Sequence, residues 1–154
     1  MPYDEAVATV REATGLVQQA CGGVPAHEDA GTLRWSPCEY TWHLADAIRI
    51  AAERLWMTIH VPAARLVCFD EAALAAARHY DELPAAAALW SLARAVADFD
   101  AAVRLAPPEP AERTSAVARR VAHEVWHHVG DMLANRAPPT EPTNQRESRG
   151  DERP

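Results

Sequence analysis

Residues 123 to 132 read HEVWHHVGDM, with three histidines and two acids in ten positions, the densest grouping of metal-ligand side chains in the sequence. Two i, i+4 pairs compete within it: His123 with His127, and Glu124 with His128. On a helix such residues stack one turn apart on one face, so either pair could chelate an ion, but the two pairs cannot face the same one. Helical phase separates them. Val117, Val121, Val125 and Val129, with Met132 and Leu133, mark a broad apolar face, and Glu124 and His128 stand at its edge, three and seven residues after Val121. His123 follows Arg119 by four and His127 follows Arg120 by seven, so that pair shares a face with arginines. The phase favours Glu124 and His128 as the inward pair. A histidine-and-acid patch is also what a solvated helix face looks like, so the pair needs a ligand from elsewhere.

The candidate is His43, in the stretch WSPCEYTWHLAD. If its helix runs antiparallel to, or crosses, that of Glu124 and His128, the three side chains can meet inside a bundle. Three protein ligands leave open positions on a divalent ion, and an open site suits catalysis because bound water or thiol is acidified. Zinc suits a His/Glu/His set, and nickel, iron or manganese would also be held. Asp46 lies one turn after His43 and Asp131 one turn after His128; either could orient a ligand or act as a base. Cys38 could serve as a nucleophile or ligand, but a small buried residue is the plainer reading. His27, His60 and His79 read as ordinary structural residues.

Four helical segments must position these groups. The first repeats Val7, Val10, Thr14, Val17 and Cys21 and stops at Gly22-Gly23-Val24-Pro25. The second carries Leu44, Ile48, Ala51, Leu55 and Ile59 and ends at Pro62. Its start is marked by Ser36 as N-cap, Pro37 at the first position and Glu39 completing a capping box. The third keeps Leu89, Leu92, Val96, Phe99 and Val103, with Pro84 in its first turn and Pro107-Pro108 closing it. The fourth is the valine segment. The connection from about Val61 to Glu82 is the longest, with room for a short helix at Asp70 to Arg78 and for a crossover. No segment alternates as a strand does. The apolar residues of the first and third segments offer a pocket no substrate-specific group. From Ala137 the sequence is almost without apolar residues, so residues 137–154 are expected to be a disordered tail after a domain at 1–136.

The chain of 154 residues has a net charge of -7, and all its basic residues are arginine. That balance argues against nucleic acid or an anionic membrane as partner. Three widely spaced cysteines without a CxxC read as reduced thiols, and the acidic N-terminus has no hydrophobic signal core. The expectation is a cytoplasmic protein. Trp42, Trp56 and Trp90 could supply an apolar surface for a homodimer.

The element from Trp35 to Asp46, with Ser36, Glu39 and His43 in their spacing, followed by Glu124-Val125-Trp126-His127-His128-Val129-Gly130-Asp131, resembles the DinB/YfiT-like superfamily of metalloenzymes over residues 3 to 136. The closest branch in pattern is the mycothiol-dependent maleylpyruvate isomerase, whose tail is similar to E-V-W-x-H-x-x-D; the resemblance does not extend to that enzyme's second domain. It implies an all-α fold, a four-helix bundle with a long connection between its second and third helices. It also implies a divalent metal on His43, Glu124 and His128, and a low-molecular-weight thiol of the mycothiol type as cofactor. The chemistry would be S-transfer or isomerisation on an electrophilic small molecule. The alternative is a non-catalytic metal-binding or stress-associated bundle.

Overall fold

Helix-forming signals written into the caps survive in three dimensions. The computed structural model describes residues 1–27, 33–61, 63–107 and 110–134. These form six helices and no strand: α1 (Tyr3–Arg11), α2 (Ala13–Cys21), α3 (Pro37–His60), α4 (Glu71–Arg78), α5 (Ala85–Val103) and α6 (Glu112–Ala134). The expected tail at 137–154 lies outside the described residues, as do Pro62 and Pro108.

The capping box at the start of α3 is complete. Ser36 Oγ accepts from the Glu39 amide at 3.3 Å, and the Glu39 carboxylate accepts from the Ser36 amide at 2.8 Å. Asp70 caps α4 by accepting from the Ala73 amide at 3.0 Å. Gly22, at φ 70, closes α2 in a left-handed turn that a residue with a Cβ rarely adopts. Pro84 is the N-cap of α5, just outside the helix and not in its first turn.

The first segment, expected as one helix, is divided at Glu12, whose ψ of -7 interrupts the α geometry while keeping it right-handed. The apolar stripe crosses the break unchanged, with Val7, Val10 and Val17 all buried, so the two halves share one face. No proline marks this break, and hydrogen bonds from Glu12 to Ala8 and from Leu16 to Glu12 span it.

One core gathers residues from α1, α2, α3, α5 and α6. α3 packs most extensively on α5 and then on α6, while α1 lies against α6. On α6, Val117, Val121, Val125 and Val129 are buried as their spacing requires. On α5 the expected Leu92 and Phe99 are fully buried, and the other three expected positions yield to the alanines beside them. Ala88, Leu92, Ala95, Phe99 and Ala102 are fully buried, while Leu89, Val96 and Val103 are only partly so. Alanine lets the axes of α3 and α5 approach, and Leu92 and Phe99 fill the gaps between. α4 and Tyr80 are tied to α3 through Asp46, which is 3% exposed. Asp46 accepts from Tyr80 Oη at 2.6 Å and from the guanidiniums of Arg49 and Arg78. Trp42, proposed as part of a dimer surface, is buried beneath Arg78, whereas Trp56 and Trp90 are exposed. No helix among the described residues is long and apolar enough to cross a membrane.

Replacing Ser36 with Ala should lower unfolding free energy by about 1 kcal/mol, the worth of an N-cap. Asp46→Ala should cost more, roughly 2–4 kcal/mol, because it leaves the Tyr80 hydroxyl and two guanidiniums without their acceptor. Urea unfolding midpoints check the order; equal losses would show that the Asp46 network does not tie α4 to α3.

Candidate metal centre

His43 stands on the second turn of α3, whose start is fixed by the capping box, and its ring is fully buried. Across the α3–α6 contact lie Glu124 and His128, with side chains 21% and 15% exposed. His43 Nε2 is 3.4 Å from Glu124 Oε1, and His128 Nε2 is 3.3 Å from the same oxygen. The imidazole nitrogens and the carboxylate oxygen all lie within 4.8 Å of one another. The three residues singled out by phase are therefore brought together. His123 and His127 are exposed, as their phase requires.

The donor spacing fits a metal. Unstrained hydrogen bonds between such groups are shorter, roughly 2.7–3.0 Å. Donors around a tetrahedral ion with bonds of ~2.0–2.1 Å lie roughly 3.3 Å apart, which matches the two separations at Glu124. The set is two imidazoles and a carboxylate, suited to zinc or a similar divalent ion.

The electrostatics follow from the same contacts. Hydrogen bonds from His128 and then His43 hold the Glu124 carboxyl far below the usual carboxylate range, against the opposing effect of its burial. Asp131 pairs with His127, its carboxylate 3.1 Å from His127 Nδ1, and lies 3.6 Å from His128 Nδ1, beyond hydrogen-bond reach. His127, His128 and Asp131 also form a second, more exposed group of metal-competent atoms. Nδ1 of neither His128 nor His43 has a hydrogen-bond partner among the described residues, and His43 is the more deeply buried of the two. Its ring is held instead by packing, with Trp35 at 5.0 Å and His128 at 4.9 Å between centroids.

Asp46, offered as an orienter of His43, spends both carboxylate oxygens on Arg49, Arg78 and Tyr80. A carboxylate this deeply buried needs such partners. Cys38 is fully buried, and burial pushes its thiol up to about 11, which leaves it protonated and unreactive. Sequence reasoning missed Trp35 and Tyr40, whose rings pack on His43 and His128; the aromatic residues one turn or two before His43 were the available signal.

Two cavities meet at Glu124. A smaller one, about 200 Å³, is bordered by His123, Glu124, His127 and His128. A larger one, about 260 Å³, runs from Glu124 between α3 and α6 beneath the 63–70 connection. Its walls thus come from α3 and α6, where α1 and α5 had been expected to contribute. No protein-family model, curated protein or solved structure matches the chain.

Two outcomes test this geometry. Glu124→Gln should reduce bound metal far more than His123→Gln, read by elemental analysis of purified protein; equal losses would place the ion on the other face of α6. In the native protein a thiol reagent such as dithionitrobenzoate should label exposed Cys68 quickly and Cys38 only after unfolding; rapid labelling of Cys38 would mean that its burial is not maintained.

Proposed function

We propose that the chain is a metal-dependent enzyme of the DinB/YfiT-like type, a four-helix bundle holding a divalent ion on His43, Glu124 and His128. Zinc is the first choice, and nickel, iron or manganese would be accommodated. The partner is a low-molecular-weight thiol of the mycothiol type, and the reaction is S-transfer to, or isomerisation of, an electrophilic small molecule. One observation carries this reading: a single carboxylate oxygen stands 3.3 and 3.4 Å from two imidazole nitrogens on two helices.

Bound there, a divalent ion supplies thiol acidification, giving a thiolate at neutral pH for attack on an electrophile. The chain's own residues prepare the site. His43, immobilised by burial, keeps one donor fixed on α3. Glu124 remains ionised and offsets positive charge. His128, one turn after Glu124 on α6, turns its Nε2 to the same carboxylate oxygen at 3.3 Å. The cavity beneath the 63–70 connection gives the site a largely apolar neighbour.

A second reading, a non-catalytic metal-binding bundle that pairs as a homodimer, is favoured by the exposure of Trp56, Trp90 and Trp126 at 42%, 71% and 67%.

Metal quantification with a thiol-transfer assay separates the two. The enzyme reading expects about one divalent ion per chain, loss of that ion in His43→Ala, and metal-dependent thiol consumption in the presence of an electrophile. Full metal content in His43→Ala would show that α3 and α6 do not share a site. Full metal content without thiol turnover across a panel of electrophiles would favour the binding module.

A further inference from the structure

The larger cavity has a chemical preference written into its walls. Ala47 and Ala51 of α3, Val117 and Val121 of α6, and Leu66 and Phe69 of the connection give it an apolar lining. Its volume of about 260 Å³ sits just below the usual range of ligand sites, roughly 300–1,000 Å³. Three arginines, Arg54, Arg113 and Arg120, border it, against two acids, Glu71 and Glu124. Glu124 belongs to the candidate metal centre.

The arginines do not have the same work. Arg54 donates to the Val67 carbonyl and stands over the Phe69 ring at 5.5 Å. Arg113 donates to the Ala64 carbonyl. These two strap the connection down over the cavity from opposite helices. Arg120 is exposed and makes no hydrogen bond or ion pair among the described residues. It stands four residues before Glu124 on α6, so the two border the cavity one helical turn apart, about 6 Å along the axis. An apolar enclosure with an uncommitted guanidinium suits a ligand whose body is apolar and whose end is a carboxylate. Arginine binds such a group through paired N–H donors. A cationic ligand would meet the same guanidinium as repulsion.

We infer that this cavity selects a small organic acid, its apolar body between Ala51 and Val121 and its carboxylate on Arg120, with its other portion extending toward Glu124. The proposal rests on the metalloenzyme reading only in making that acid the substrate; the selection of an acid is carried by Arg120 alone.

Isothermal titration calorimetry on the full chain tests it, with 4-phenylbutyrate, 4-phenylbutan-1-ol and 4-phenylbutylamine as matched probes. The acid should bind roughly tenfold or more tightly than the alcohol, the amount a charge-assisted hydrogen-bond pair provides, and the amine should bind most weakly. Arg120→Gln should abolish the preference for the acid while leaving alcohol affinity and metal content unchanged. Arg94→Gln, a change on the exposed side of α5 where Arg94 pairs with Asp98, should leave the preference intact. Protein stripped with a chelator should still prefer the acid. The inference is overturned if no probe binds, if acid and alcohol bind equally, or if Arg120→Gln keeps the preference. Loss of the preference on chelation with Arg120 intact would also overturn it, since the ion would then be the selector. A purified protein without metal that still prefers the acid would sink the metalloenzyme reading and uphold the organic-acid site.

Discussion

A fully buried imidazole on α3 sets the terms for the rest of the molecule. A buried polar ring must find partners or cost free energy, and among the described residues His43 finds its hydrogen-bond partner on α6, at Glu124. A second buried polar contact, between the hydroxyls of Thr114 and Thr58 at 3.2 Å, joins the same two helices toward the other end of α3. Moving from His43 to Thr58 along α3 corresponds to moving backward from Glu124 to Thr114 along α6, so the helices run antiparallel. Two polar contacts separated by four turns of α3 determine the register between them. A shift of one residue would turn α6 by roughly 100° and carry Glu124 and His128 off the site.

Small residues do different jobs on the two sides of α3. Toward α5, fully buried Ala88, Ala95 and Ala102 let the helices close up around Leu92 and Phe99. Toward α6, Ala47 and Ala51 leave space that no side chain fills, and the 63–70 connection roofs it. The same residue type therefore produces a dense contact on one side and a cavity on the other, according to whether large partners interleave with it. The cavity persists because the roof is held by arginine donors from both flanking helices, and α4 beyond it is anchored through Asp46.

Much of this was legible in sequence where a residue type has only one good place to be. Valine every fourth residue on α6 required a buried stripe, and that stripe placed Glu124 and His128 at its edge. Ser36, Pro37 and Glu39 announced the start of α3, and Asp70 that of α4. The sequence was mute where residue types are ambiguous. Alanine is at home on either face of a helix, so on α5 Leu92 and Phe99 were placed but Ala88, Ala95 and Ala102 were passed over for their larger neighbours Leu89, Val96 and Val103. Glu12 has good helix propensity, so nothing marked the interruption between α1 and α2. Asp46 was assigned by its nearness to His43 along α3, but its carboxylate turns to Tyr80 and Arg78, residues more than thirty positions away whose approach depends on how the chain after α3 folds back. Nothing in the sequence pointed to Arg54 or Arg113, whose carbonyl partners lie in the connection that folds back across the groove between α3 and α6.

The charge state of the centre links these parts. Glu124 stays ionised in a half-buried position because two imidazole nitrogens face it, and those same nitrogens are the atoms an ion would require as lone-pair donors. With N–H groups turned inward, the three side chains are a small hydrogen-bonded knot stretched beyond its best distances. With lone pairs turned inward, they are a negatively charged donor set whose two separations at Glu124 match those around a tetrahedral divalent ion. Switching between the two is a matter of proton placement on His43 and His128 and needs no movement of either helix. Neither Nδ1 has a hydrogen-bond acceptor among the described residues, so an ion at the site must secure both tautomers by its own binding, and the free energy of doing so is drawn from metal affinity.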